Sequence, residues 1–84
     1  MVDPELVERL RNRVDSPVDA LTPREREVLA LMAEGLTDRG IGERLWLTQK
    51  TLETHAVHIF RKLNLPEGSR YNRRVHAVLA FLRA

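Results

Sequence analysis

The segment from Gln49 to Asn64 constrains the fold of this 84-residue chain more than any other segment. Its apolar residues recur at intervals of four, three and four, which is the spacing of one face of an α-helix. These residues are Leu52, Ala56, Ile59 and Leu63. A rotation of about 100° per residue places a largely polar and basic set on the opposite face. That set is Lys50, Thr54, Val57 and Arg61, with His58 beside it. The segment is therefore predicted to form a helix that packs on a core along one narrow stripe.

Helix start and stop signals divide the rest of the chain into further short helices. Thr22 precedes Pro23 and stands three residues before Glu25, a pattern typical of a capping box at the start of a helix. This helix is predicted to run to about Glu34, because Gly35 can adopt the left-handed conformation that ends many helices. The other predicted helices span residues 4–14, 38–45, 49–64 and 72–83.

These elements predict an all-α fold, a four-helix bundle over residues 21–84. Residues 1–20 are predicted to be an N-terminal helix and linker, with the linker over residues 15–20. The low aromatic content of 5% and the hydrophobic content of 43% also favour a helical bundle over a sheet protein.

The short helix over residues 38–45 and the turn after it hold several unusual residues. Ile41 and Leu45 are the predicted core residues of this helix. Gly40 and Gly42 weaken it by about 1 kcal/mol each relative to alanine, unless they permit close approach of another helix. Trp46, in the turn, is interpreted as a partly buried support for the helix pair and not as a base-stacking side chain.

The last predicted helix has apolar residues on more than one face. The stripe predicted to face the core consists of Val75, Val78, Leu79 and Leu82. A second strip of Ala77, Ala80 and Phe81 is more than so short a domain can bury by itself. The candidate dimer contacts of this helix are Val75, Ala77, Val78 and Phe81.

Composition excludes several classes of protein. The chain has no cysteine, which excludes a disulfide framework and a thiolate zinc site and fits a reducing cytoplasm. The longest apolar run, residues 77–82, is far too short to cross a membrane, and the first residues lack the apolar region of a signal peptide.

Positive charge is concentrated in the second half of the chain. The net charge is only +2, but residues 48–84 carry seven basic side chains against two acidic ones. Such an excess of basic side chains is expected of a phosphate-binding surface. An ordinary solvated helix face would carry similar charges, so the charge count alone does not decide between the two interpretations.

No arrangement of residues indicates catalysis, so we expect neither an enzyme nor a small-molecule substrate or cofactor. There is no Ser/His/Asp pattern and no glycine-rich phosphate loop. His55 and His58 form an H-x-x-H pair, but no carboxylate at a suitable spacing completes a metal site. His55 is instead interpreted as a packed, hydrogen-bonded residue at the edge of the apolar stripe.

Two long motifs resemble the LuxR-type helix-turn-helix domain, also called the GerE or NarL/FixJ type. The first is Leu-Thr-Pro-Arg-Glu-Arg-Glu-Val-Leu over residues 21–29, which is similar to the opening of the family domain. The second is Lys-Thr-Leu-x-x-His-x-x-x-Ile-x-x-Lys-Leu over residues 50–63, which resembles K-T-V-x-x-H-x-x-x-I-x-x-K-L. The tail over residues 73–84 is similar to that of actinobacterial response regulators, in which a receiver domain precedes this domain. Residues 1–20 are then the linker helix of a truncated regulator or the start of a stand-alone member.

The resemblance implies a function and a set of contacts. It implies sequence-specific binding of double-stranded DNA by a bacterial transcription regulator, as a homodimer on paired half-sites. The family's base-reading positions fall on Glu53, Thr54 and Val57, and His58 lies beside them. Its phosphate contacts fall on Thr48, Gln49, Lys50, Thr51, Arg61 and Lys62. The same resemblance implies a cytoplasmic protein that does not contact membranes, with RNA polymerase as a candidate further partner.

Two residues depart from the family pattern and keep an alternative open. Glu53 repels phosphate, although a carboxylate can accept a hydrogen bond from a cytosine amino group, and we interpret it first as a surface charge. Val57 cannot form a hydrogen bond and could only pack on a thymine methyl group. The alternative is a helical protein-interaction module that docks through its last helix, with weak or no DNA binding. A small hydrolase is the second alternative.

Overall fold

A computed structural model describes Pro4, residues 17–68 and residues 71–84. Within these residues the chain forms a 3₁₀ turn, η1, and four α-helices, and it forms no strand. The elements are η1 (Pro17–Ala20), α1 (Pro23–Ala33), α2 (Asp38–Leu45), α3 (Gln49–Lys62) and α4 (Arg73–Arg83). The predicted all-helical bundle is confirmed. The predicted helix over residues 4–14 lies, apart from Pro4, outside the described residues.

Threonine side chains start three of the helices, and the cap at Thr22 is the one predicted above. At α1 the capping box is complete: the Thr22 hydroxyl accepts the Glu25 N–H at 3.1 Å, and the Glu25 carboxylate accepts the Thr22 N–H at 2.9 Å. The hydroxyls of Thr37 and Thr48 accept backbone N–H groups in the first turns of α2 and α3. Each cap satisfies a backbone donor that has no partner within its helix.

A left-handed residue follows α1 and another follows α3. Gly35 has φ +93°, and two backbone hydrogen bonds, one from Gly35 and one from the next residue, close the end of α1. The Gly35 N–H donates to the Met32 carbonyl, and the Leu36 N–H donates to the Leu31 carbonyl at 3.1 Å. Asn64, with φ 55°, repeats this arrangement at the end of α3. Both sites use residue types that tolerate positive φ.

The core lies between α1 and the other helices. α1 packs against α2, α3 and α4, and η1 packs against α3 and α4. The predicted stripe of α3 is confirmed, because Leu52, Ile59 and Leu63 are buried and Ala56 packs against them. The other buried hydrophobic residues are Val18, Leu21, Val28, Leu29, Met32, Ile41 and Ala77. Val18, which belongs to the predicted linker, is thus part of the core.

The predicted core stripe of α4 is wrong in part. Ala77 is completely buried, whereas Val75, Leu79 and Leu82 are exposed, Leu82 by 66%. The helix is therefore rotated so that Ala77 faces the core, with Val78 and Phe81 partly buried against it. A methyl side chain at the contact lets neighbouring helices approach closely, which a larger residue would prevent. Ala77 is thus unavailable to a second subunit.

The predicted place of Trp46 is also wrong. Its side chain is 93% exposed, and its backbone has φ 59°, in the left-handed region. The left-handed residue ends α2 and turns the chain toward α3, which sends the indole into solvent instead of against the helix pair.

Gly42 and Gly40 differ in how close their neighbours lie, and this difference gives a stability test. A β-carbon at Gly42 would lie 2.9 Å from the Leu47 carbonyl oxygen, so the turn would have to move. A β-carbon at Gly40 would meet only side-chain atoms, at 3.5 Å or more. We expect Gly42→Ala to lower the free energy of unfolding by about 1–3 kcal/mol despite its gain in helix propensity. Gly40→Ala, the matched control, should be neutral or raise it by up to about 1 kcal/mol. Urea unfolding of both variants checks this, and equal effects would contradict the close contact.

Candidate nucleic-acid interface

The outward face of α3 is exposed over its whole length. Of the ten residues predicted to contact DNA, nine are exposed, and only Lys62 is partly buried. The predicted opposite face of Lys50, Thr54, Val57 and Arg61 therefore points into solvent. Within the described part of the chain, neither Lys50 nor Arg61 forms an ion pair or a side-chain hydrogen bond. Both cations are free to meet an anionic partner.

Short-range hydrogen bonds order the first two turns of α3. The Thr48 hydroxyl accepts the Thr51 N–H at 3.2 Å and donates to the Thr51 hydroxyl at 2.9 Å. The Gln49 amide donates to the Glu53 carboxylate at 3.2 Å. The Thr54 hydroxyl donates to the Lys50 carbonyl at 3.1 Å. Glu53 is thus an exposed charge that is hydrogen-bonded within its own helix.

A buried carboxylate of α1 contacts the side of α3 that faces the rest of the protein. Glu25, in the first turn of α1, is only 3% exposed. The Lys62 ammonium donates to its Oε1 at 2.7 Å, and His58 Nδ1 lies 3.7 Å from its Oε2. Lys62, predicted to contact phosphate, is therefore engaged inside the protein. His58 is half exposed and lies between the carboxylate and the outward face.

Opposing effects determine the pKa of Glu25. Burial alone would raise the pKa of this carboxyl group. The hydrogen bond from Lys62, the hydrogen bonds from Thr22 and the charge of Lys62 outweigh burial and hold the pKa below the ordinary glutamate value. Glu25 is thus ionised at neutral pH and holds Lys62 as a charged pair.

Arginines of α4 also serve internal contacts. Arg74 donates to the Asp38 carboxylate and, at 2.5 Å, to the Leu36 carbonyl, which ties α4 to the start of α2. Arg73 lies over the Phe60 ring at 4.8 Å and pairs with Glu67 at 3.6 Å. Neither role was predicted, because both depend on how the helices pack, and the Arg74–Asp38 pair joins residues 36 positions apart. Part of the basic charge counted in residues 48–84 is thus neutralised within the fold.

The described residues form neither a metal-holding group nor a membrane span. His55 is partly buried at the edge of the apolar stripe. Within residues 17–68 and 71–84, no three histidine or acidic side chains lie close enough together to hold a metal ion. No helix in the same residues is long and apolar enough to cross a bilayer.

The lowered pKa of Glu25 makes stability depend on pH. Because the folded pKa lies below the unfolded one, Glu25 contributes stability above its unfolded pKa, and this contribution is lost as the pH falls through the folded pKa. We expect the free energy of unfolding to fall below about pH 4.3, the ordinary value for glutamate. Glu25→Gln should lower stability at pH 7 by about 1–3 kcal/mol and flatten this part of the pH profile. Glu27→Gln, an exposed neighbour, is the control in urea unfolding from pH 3 to 7. If the stability of Glu25→Gln fell as steeply at low pH as that of the wild-type chain, the role of Glu25 would be contradicted.

Comparison with known proteins gives one consistent family. The profile described as "Bacterial regulatory proteins, luxR family" matches residues 19–77. The transcriptional regulatory protein LiaR of Bacillus subtilis is 40% identical, over 87% of this chain and 37% of its own length. The nitrate/nitrite response regulator protein NarL of Escherichia coli is 42% identical, over 66% of this chain and 26% of its own. The transcriptional regulatory protein DegU of Brevibacillus brevis is 45% identical, over 58% of this chain and 21% of its own length.

The chain thus spans well under half of the curated relatives that it matches. The match covers α1, α2 and α3 and the start of α4, which are the elements that form the exposed face and its support. The names of these relatives describe regulatory proteins, two of them transcriptional. The chain belongs to the luxR family of bacterial regulatory proteins, as a DNA-binding helix-turn-helix domain.

Proposed function

We propose that this domain binds double-stranded DNA sequence-specifically, as part of a bacterial transcription regulator, with α3 lying in the major groove. The observation that carries the proposal is the exposed face of α3, which is opposite a largely buried stripe and bears two unpaired cations. Lys50 and Arg61 are separated by about 16 Å along the helix axis, at 1.5 Å per residue. The major groove is about 12 Å wide, so the two cations can reach phosphates on both of its sides.

The remaining contacts divide by position along α3. At its start, Thr48, Gln49 and Thr51 offer hydroxyl, amide and backbone N–H groups to a phosphate, helped by the positive end of the helix dipole. In the middle, Thr54 and Val57 face the base edges, with Glu53 and His58 beside them. Val57 recognises a thymine methyl group and Thr54 offers a hydroxyl to a base. Lys62 is left out of this set because it is paired with Glu25.

We also propose that the domain acts as a homodimer on paired half-sites. The predicted contact set of Val75, Ala77, Val78 and Phe81 is revised, because Ala77 is buried. The exposed apolar residues of α4 are Val75, Leu79 and Leu82, spaced four and three apart on one face. Two copies of this stripe would bury each other's apolar surface, as helix-paired dimers do. The cytoplasm, where the DNA lies, is the proposed location, and RNA polymerase remains a candidate partner.

The exposed stripe of α4 also favours the second candidate, a protein-interaction module. Such a module would use Val75, Leu79 and Leu82 against a partner and would not need free cations on α3. DNA-binding measurements separate the two candidates.

Selection of bound duplexes from random DNA, followed by titration of the enriched sequence, tests the DNA-binding proposal. We expect an enriched motif, and binding that weakens steeply with salt because bound counterions are released. Lys50→Ala/Arg61→Ala should reduce the slope of log K against log salt by about 2. Arg24→Ala/Arg83→Ala removes the same charge away from α3 and should leave the slope nearly unchanged. Absence of an enriched motif, or equal slopes for the two double variants, would contradict the proposal.

The dimer proposal has a separate test on DNA that carries two half-sites. Leu79→Asn/Leu82→Asn should abolish cooperative binding to the paired sites while it leaves affinity for a single half-site within about two-fold. Both side chains are exposed, so the fold should tolerate the change. Arg83→Gln, an exposed neighbour on α4, is the control. Unchanged cooperativity in the asparagine variant would place the dimer contact elsewhere.

A further inference from the structure

The Glu25 cluster, defined as Glu25 with its partners Thr22, His58 and Lys62, joins two helices that are distant in sequence. One carboxylate oxygen receives the Thr22 N–H at 2.9 Å and the Lys62 ammonium at 2.7 Å. The other faces His58 Nδ1 at 3.7 Å. Glu25 and Lys62 are 37 positions apart, so the contact ties the first turn of α1 to the last turn of α3.

The hydrogen-bonded ion pair of Lys62 with Glu25, together with the longer 3.7 Å approach of His58, restricts the rotation of α3. His58 and Lys62 are four residues apart, so they lie on the same side of α3 about one turn from each other. Val57 and Arg61 directly precede them in sequence and form part of the outward face. Because neighbouring residues differ by about 100° in direction, any rotation of α3 against α1 would redirect the short side chains of Thr54 and Val57 together.

Removal of Lys62 from Glu25 would be costly. A carboxylate that is 3% exposed loses its compensation if its cation leaves. If Lys62 contacted a phosphate instead, the buried Glu25 carboxylate would lose its cation. The cost of this unpaired buried charge exceeds the gain from one more contact with a solvated phosphate. Arg61, on the same turn, is exposed and has no such internal partner.

We propose that Glu25 is a positioning residue for DNA recognition: through Lys62 and His58 it fixes the rotation of α3, and it keeps Lys62 from the DNA backbone. The inference rests on the proposed function of α3. It separates two neighbouring cations of one helix turn into different roles. Arg61 contacts phosphate, whereas Lys62 holds the helix that carries it.

The salt dependence of DNA binding distinguishes these roles. Each phosphate contact adds about 1 to the slope of log K against log salt. Lys62→Met and Arg61→Met are matched variants that each remove one charge and keep the aliphatic stem. On the selected duplex, Arg61→Met should lower the slope by about 1, and Lys62→Met should leave it unchanged. A reduction of about 1 in Lys62→Met would show that Lys62 contacts phosphate and would overturn the inference.

The ratio of specific to non-specific affinity tests the positioning role. A rotated α3 would lose base contacts but keep phosphate attraction, so Glu25→Gln and Lys62→Met should each lower this ratio about ten-fold, comparable to one mismatched base pair. The double variant should be no worse than either single variant, since both break the same link. Glu27→Gln is the control and should leave the ratio unchanged. An unchanged ratio in folded Glu25→Gln and Lys62→Met would overturn the inference.

Folding is monitored separately in this experiment. Circular dichroism sets a temperature at which each variant is folded, and Lys62→Met carries the test if Glu25→Gln is too unstable, because the Lys62 side chain is 35% exposed. If the wild-type chain bound no DNA selectively, the proposed function would fail, and this inference with it. If the wild-type chain binds selectively, only the slopes and ratios of the variants decide the inference.

Discussion

The buried carboxylate of Glu25 is the contact on which the relative placement of α1 and α3 depends. It completes the capping box that starts α1, and the same oxygen that accepts the Thr22 N–H also receives the Lys62 ammonium. A carboxylate buried to this degree is tolerated only when it is paired and hydrogen-bonded. Correct initiation of α1 and correct docking of α3 are therefore linked through one group, although the two helices are far apart in sequence.

Other close contacts position α2 and α4. Gly42 lets the α2–α3 turn approach α2 closely, and Ala77 does the same for α4 against the core. Arg74 connects α4 to the start of α2 through Asp38 and the Leu36 carbonyl. A chain this small can bury only a limited core, so these links add to the stability that its few core residues provide. Their joint effect is that α3 is held on one side and free on the other.

Local signals predicted the elements, and long-range contacts escaped prediction. The Thr22 capping box, the left-handed Gly35 and the bounds of α2 depend on residues a few positions apart, so their patterns are readable in sequence. The pairing of Lys62 with Glu25 depends on tertiary packing, and a lysine beside Arg61 looks like another phosphate contact. The rotation of α4 was ambiguous because apolar residues cover more than one of its faces. Trp46 was misplaced because the left-handed turn that exposes it is one that glycine or asparagine more often forms.

The central claim is that the exposed face of α3 meets DNA while the Glu25 cluster holds its other side. Titration of the isotopically labelled chain with its selected duplex, followed by amide chemical-shift mapping, tests this claim most directly. We expect the largest shifts from Thr48 to Arg61, centred on Lys50, Thr54 and Val57, with small shifts at Leu79 and Leu82 on a single half-site. Shifts concentrated on α4, with α3 unchanged at saturating DNA, would contradict it.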